Sequence, residues 1–322
     1  MQDPRTVPGI DPEMAEAMLK SRDLVPEGRL DVTTAPIADV RTQYFGERTY
    51  WNEDGPEMYR TKDISIDGPH GPIPVRFYYP NDAENLPLVL YFHGGGFIYG
   101  GIPSHDKVCR WMAGRSGVAF ASVDYRLAPE HKFPTPLDEA LAVLDYVTAS
   151  ADALNIDSSR IGMGGDSAGA SITMGTALSL KEAGRTDALK FMLLFYGSYG
   201  LGYDCESSLK YNDVLFGLSE ERRRFYRSSY IANESDHEDP RLKHLAADVS
   251  GLPPAFLGAA EMDPLCDNTP ALSERLTAAG VANDVTIYPG VLHGFIHLTR
   301  MVGAARTALN DAGNATRAAL GK

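Results

Sequence analysis

Residues 163–171, MGGDSAGAS, place Ser167 between an aspartate and an alanine, with Gly165 and Gly169 two positions away on either side. The pattern G-x-S-x-G is weak alone: with 31 glycines in 322 residues, about one such chain in six shows it by accident. Its surroundings carry more. RIGMGGD reads as a strand running into a sharp turn, and AGASITMGTALSLKEAG, starting at Ala168, reads as a helix. A serine at the apex of a strand–turn–helix is exposed and held in strained backbone geometry. The flanking glycines are needed because a Cβ there would strike a neighbouring strand or helix. The helix N-terminus favours negative charge developing beside it. The bland alternative, a glycine-rich turn whose serine caps a helix, explains the motif alone equally well. A phosphate loop fits worse: Gly162, Gly164 and Ser167 nearly match G-x-G-x-x-G but lack the last glycine, the turn lies mid-chain, and no G-K-[ST] occurs.

Around this turn the chain alternates apolar strands with helical stretches. LVLYF (88–92), VAFASV (118–123), FMLLFY (191–196), PAFLGA (254–259) and DVTIYP (284–289) are near-continuous runs of strand formers. Such runs mark strands buried on both faces. Helices are expected over 104–116, 136–150, 168–183, 270–279 and 299–320, and residues 62–80 read as a hairpin around DGPHGP. The expected fold class is therefore α/β, a mostly parallel central sheet with helices on both faces. Residues 1–55 form an N-terminal arm, with DPEMAEAML opening as a helix capped by Asp11; the rest of the arm has no clear period. Residues 203–245, rich in Tyr, Ser, Arg and Glu, interrupt the core as a helical cap insertion and leave core segments 56–202 and 246–322.

Composition narrows the function. With 30 basic and 43 acidic side chains the net charge is −13, which argues against a nucleic-acid partner and gives no attraction to anionic membranes. Three cysteines, Cys109, Cys205 and Cys266, do not read as a disulfide framework and fit a reducing compartment. No stretch is long enough to span a membrane and residues 1–20 do not read as a signal peptide. The expected location is cytoplasmic.

HGGG, His93–Gly96, directly follows the LVLYF strand. A fixed tetrapeptide of this kind arises by accident in about one such chain in a hundred. Three glycines let a loop approach a ligand closely and aim its N–H groups at an oxyanion. Gly94, Gly95 and Gly96 are the candidates, Gly95 first, together with the N–H of Ala168. His93 itself suits orienting the loop better than acting as a base. A serine nucleophile needs a histidine held in one tautomer by a carboxylate. Asp263 follows the PAFLGA strand in AEMDPL, and His293 follows the next strand in VLHGF, so the order is Ser167, Asp263, His293. Glu261 and Asp267 are alternative acids. His297, four residues after His293, is expected to share a helix face with it. HGFIH lacks the glutamate of H-E-x-x-H and has no clear third ligand. No metal or other cofactor is expected.

HGGG, GDSAG, DPL, HGF and DYRLAPEHKFP (124–134) occur together. With them the sequence resembles the hormone-sensitive-lipase-like family of α/β-hydrolases from about residue 60 to 310. Within that family it looks most like bacterial acetyl esterases, through FYGSYG, AEMDPL and YPGVLHGFIHLTRM. The resemblance implies Ser167 as nucleophile, Asp263 as acid, His293 as base and His93–Gly96 as oxyanion loop. It also implies DYRLAPE as support behind that loop, and a cap built from residues about 1–50 and 203–245. The chain departs from the family pattern at Cys266, where many members carry a charge after DPL, and at Ala170, where many carry glycine. The implied activity is hydrolysis of small esters with short acyl groups, acetyl to butyryl. An amidase, lactonase or deacetylase on the same residues is the competing enzyme, and a non-catalytic small-molecule-binding module the competitor of another class. Tyr99, Tyr196, Tyr199, Tyr203 and Phe216 are candidates for pocket walls, with a core role slightly favoured. The fold also leaves room for a homodimer through an edge strand or the C-terminal helix.

Overall fold

The computed structural model describes residues 2–321. Eight strands form one sheet: β1 (Arg60–Gly68), β2 (Gly71–Tyr79), β3 (Leu86–Phe92), β4 (Ala119–Val123), β5 (Ile156–Asp166), β6 (Phe191–Phe195), β7 (Ala255–Met262) and β8 (Asn283–Leu292). The order is β1-β2-β4-β3-β5-β6-β7-β8. β1 and β2 form the expected hairpin, β2 pairs antiparallel with β4, and all the other pairings are parallel. The helices are α1 (Pro12–Asp23), α2 (Ile37–Asn52), α3 (Ile102–Ser116), α4 (Thr135–Ala149), α5 (Ala151–Leu154), α6 (Ala168–Glu182), α7 (Glu206–Lys210), α8 (Glu220–Tyr230), α9 (Asn268–Ala278) and α10 (Gly303–Leu320).

The strand residues alternate between two cores, as the pleat requires. Leu88, Leu90 and Phe92 join Met163, Leu194 and Leu257 beneath α4, α6 and α9. Val89 and Tyr91 join Phe120, Leu193 and Phe256 beneath α3 and α10. With helices on both faces, both sets of strand side chains can be apolar. α1 starts as the sequence suggests, with the Asp11 carboxylate accepting from the Met14 N–H at 2.9 Å and Pro12 at the first position. α2 was not anticipated. Its buried residues are only Val40, Glu47 and Trp51, a stripe too sparse to show as a period. It is fixed by Arg41, which donates to the carbonyls of Ile98 (2.8 Å) and Ala128 (3.0 Å) and to Glu130.

The segment DYRLAPE lies behind the HGGG loop. The Tyr125 hydroxyl donates to the His93 carbonyl at 2.7 Å, and the Ala128 N–H to the Phe97 carbonyl at 2.8 Å. Glu139, fully buried on α4, accepts from both the Arg126 backbone N–H (2.8 Å) and its guanidinium. Removing the guanidinium would strand a buried carboxylate without its counter-charge. We therefore expect Arg126→Ala to destabilise the fold by about 3–5 kcal/mol in urea unfolding. A loss below about 1 kcal/mol, the range of surface pairs, would mean the contact is solvated.

Candidate active site

All four candidate motifs leave the C-terminal ends of parallel strands, where open α/β sheets hold their ligands. Register decides which ones meet. Phe92 of β3 pairs with Gly165 of β5, so the HGGG loop and the Ser167 turn emerge side by side. Met262 of β7 pairs with Leu292 of β8, so Asp263 and His293 are the next residues on neighbouring strands. That second match depends on an irregularity. Ala260 pairs with Tyr288, and two further residues on β7 correspond to four on β8. The excess sits around Gly290, at φ +68°, whose N–H donates to Glu261 at 2.8 Å and whose carbonyl accepts from the Asp11 N–H at 2.9 Å. Glu261, an alternative acid in the sequence, thus holds the bulge that advances His293. Asp267, the other alternative, accepts from the Ser207 N–H at 2.8 Å.

Ser167 sits at φ 54°, ψ −116°, strained for a residue with a side chain. Its N–H donates to the Phe195 carbonyl at 2.8 Å. A Cβ on Gly165 or Gly169 would overlap the Phe92 carbonyl oxygen, so both glycines are steric necessities. The Ser167 hydroxyl reaches His293 Nε2 at 2.9 Å, and His293 Nδ1 reaches Asp263 Oδ2 at 2.6 Å. Asp263 is fully buried and its other oxygen accepts the Leu265 N–H at 2.8 Å. A proton on Nδ1, donated to the carboxylate, leaves Nε2 free to accept from the serine.

The glycine loop divides by function. The Gly94 N–H is committed to the Asp166 carboxylate at 3.1 Å, which takes it out of the candidate oxyanion donors. Gly95 (φ +123°) and Gly96 (φ +60°) occupy backbone regions that glycine favours. A Cβ on Gly95 would overlap the Tyr99 carbonyl oxygen, and one on Gly96 would lie 2.7 Å from the Tyr226 ring. The N–H groups of Gly95, Gly96 and Ala168 have no hydrogen bond within the described residues.

Asp166, adjacent to the serine, is the anchor. Tyr91 Oη donates to it at 2.9 Å and His105 Nε2 lies 3.1 Å from it; His297 Nε2 is 3.7 Å away. Burial alone would raise its pKa, but His105 and His297 hold the carboxyl well below the usual range. His297 does not share a helix face with His293: Gly294 turns the chain at φ +78°, and a short 3-10 turn, Phe295–His297, aims the ring into the interior. Burial and the Arg48 charge lower His297 to about 3, and burial with His105 lowers His93 to about 3, so both rings are neutral at pH 7. His93 stacks on Tyr125 at 4.2 Å and its Nδ1 lies 2.8 Å from the Gly94 carbonyl oxygen, a loop-orienting position. His105, Asp166 and His297 are the one group of three potential metal ligands among the described residues. The Gly94 and Tyr91 donors converge on Asp166 Oδ1, the oxygen that also lies 3.1 Å from His105 Nε2, and the Gly94 N–H is shared with that ring nitrogen at 3.2 Å.

A cleft of about 860 Å³ opens over Ser167 and His293. Tyr99, Tyr203 and Phe216 line it as wall candidates, whereas Tyr196 and Tyr199 are fully buried core residues. Tyr196 packs on the His293 ring at 4.8 Å. Several lining residues escaped the sequence reading: Tyr44 and Arg48 on α2, and Arg223, Tyr226 and Tyr230 on α8. The three on α8 recur at helical spacing, which a finer reading of EERRRFYRSSYI could have used.

Residues 89–297 match the model of a family described as alpha/beta hydrolase fold. Acetyl esterases of Salmonella schwarzengrund and Salmonella agona are 35% and 36% identical over 278 residues, covering 85% of this chain and 85% of each relative. Among solved structures, a hyperthermophilic esterase from the archaeon Pyrobaculum calidifontis superposes with a TM-score of 0.90 at 31% identity, covering 96% of this chain and 98% of its own. An ester hydrolase from the metagenome of Lake Arreo superposes with a TM-score of 0.91 at 32% identity, covering 97% and 100%. With its sheet order, its strand-end site and these matches, the chain belongs to the α/β-hydrolase fold family.

Proposed function

We propose that the protein is a serine carboxylesterase that hydrolyses small, short-chain esters, with Ser167 as nucleophile, His293 as base and Asp263 as its orienting acid. The observation that carries the reading is the continuous line from Ser167 Oγ to His293 (2.9 Å) to Asp263 (2.6 Å), beside a loop of uncommitted N–H groups. His293 Nε2 takes the serine proton as Oγ attacks the ester carbonyl. The N–H groups of Gly95, Gly96 and Ala168 receive the oxyanion. The alcohol leaves with a proton from His293, and water then repeats the sequence on the acyl-enzyme. The protons and charges are all handled by these side chains and amides.

The similarity to acetyl esterases supports an acetyl group on the substrate, and we propose a range that extends to butyryl. The same three residues would also serve an amide or a lactone, and the relatives favour the ester. We assign the cap to residues 1–55 and 203–245, because Arg29, Tyr44 and Arg48 from the first and Tyr203 to Lys243 from the second line the cleft. Among the described residues no helix is long and apolar enough to cross a membrane. The free Cys109, Cys205 and Cys266 support a reducing, cytoplasmic setting.

With p-nitrophenyl esters of two to sixteen carbons we expect rapid turnover confined to the short chains. Ser167→Ala should lower kcat by about 10⁴-fold or more. Equal turnover in the variant would remove the nucleophile assignment. Gly95→Ala, by displacing one donor, should cost about 10²–10³ in kcat with little change in KM. An unchanged kcat would move the oxyanion site elsewhere.

A further inference from the structure

The cleft carries charge of the opposite sign to the protein. Six basic residues line it (Arg29, Arg48, Arg223, Arg224, Arg227 and Lys243) against two carboxylates, Asp166 and Glu238, in a chain of net charge −13. Several of these charges are already matched. Arg29 pairs with Glu47, Arg224 with Glu220 at 2.6 Å, and Lys243 with Glu238 at 2.6 Å. Asp166 is engaged by His105.

Arg223 is different. Its residue is 9% exposed, and neither Nε nor Nη2 has a hydrogen-bond partner. Among the described residues no carboxylate lies within ion-pair distance of it, and the Tyr203 ring lies 5.1 Å from the guanidinium carbon. Arg48 is the other case, with an unpartnered Nε, although Tyr44 beside it offers both its ring, 4.9 Å away, and a side-chain hydrogen bond. These two supply the only buried, unpartnered arginine or lysine nitrogens among the described residues, and both line this cleft. A buried cation without a partner is costly, and an arginine remains charged rather than losing its proton. Burial pushes the Arg223 guanidinium down from its ordinary value, while Tyr203 and Asp263 oppose the shift.

Its position points to the reacting bond. Tyr226 on α8 packs on Gly96 of the glycine loop, and its hydroxyl lies 2.9 Å from that of Tyr99. Tyr230 stacks on Phe97 at 3.8 Å. Arg223 stands three residues before Tyr226 on the same helix face, about 4.5 Å along the axis. A guanidinium presents a planar fork that fits a carboxylate in two parallel hydrogen bonds. Resting on the esterase reading above, we infer that the preferred substrate is an ester carrying a carboxylate near the scissile bond, and that Arg223 receives it, with Arg48 reinforcing the positive field of the cleft.

The test compares isosteric pairs at low ionic strength. Mono-4-nitrophenyl glutarate against 4-nitrophenyl pentanoate places the charge on the acyl side. 3-Acetoxypropanoate against propyl acetate places it on the alcohol side. We expect at least one pair to favour the charged member by about tenfold or more in kcat/KM, expressed mainly in KM. In Arg223→Gln that ratio should fall about tenfold, and Arg223→Lys should retain part of it. Because the ratio is measured within each variant, a general loss of folded enzyme cancels. Equal rates for both members of both pairs, or a preference that survives Arg223→Gln, would overturn the inference while leaving the esterase reading intact. Absence of turnover on every ester, 4-nitrophenyl acetate included, would overturn both.

Discussion

The close approach of the Ser167 turn to the carbonyl of Phe92 governs the rest of the site. Gly165 and Gly169 both press on that one oxygen, with no room for a Cβ. The contact fixes the strained serine and, through the next residues of the same strand, the origin of the glycine loop. The proposed nucleophile and oxyanion donors are therefore positioned by one piece of steric packing between β3, β5 and α6. Asp166 extends it, tying Gly94 from the side of the serine so that the loop beyond is left with free N–H groups. Rigid elements hold this geometry, which electrostatic stabilisation of a transition state requires.

The sequence made the frame legible because each part had a local signature. Apolar runs marked the strands, and GDSAG and HGGG marked their ends. AEMDPL and VLHGF placed an acid and a base after consecutive strands. What stayed hidden depended on contacts between distant segments. His105 has no motif, yet it meets Asp166 and His297 in the interior, 61 and 192 residues further along the chain. The expectation that His293 and His297 share a helix face assumed regular geometry, and Gly294 breaks it. The β8 bulge that brings His293 opposite Asp263 is set by Glu261 and by the backbone of Asp11, neither of which signals it locally. α2 went unread because its inward face is narrow and includes a glutamate.

Electrostatics separates the site from the surface. The chain is acidic overall, while its cleft is basic, and low-dielectric walls with one sign of charge concentrate ligands of the other. Behind the serine, neutral His93 and His297 surround an ionised Asp166, so the loop is anchored without adding mobile charge near the reacting atoms. In front, Arg223 and Arg48 leave guanidinium nitrogens unmatched by the protein. One arrangement supports acyl transfer in general, and the other selects what is presented to it.

The central claim is that Ser167, and no other side chain, is the activated nucleophile. A fluorophosphonate probe, followed by intact-mass measurement and peptide mapping, tests it most directly, because reaction requires both an activated serine and an oxyanion site for the phosphoryl oxygen. The account predicts one adduct per chain, located on Ser167, and none in His293→Ala. An adduct on another residue, or an unmodified protein that still turns over ester, would contradict it.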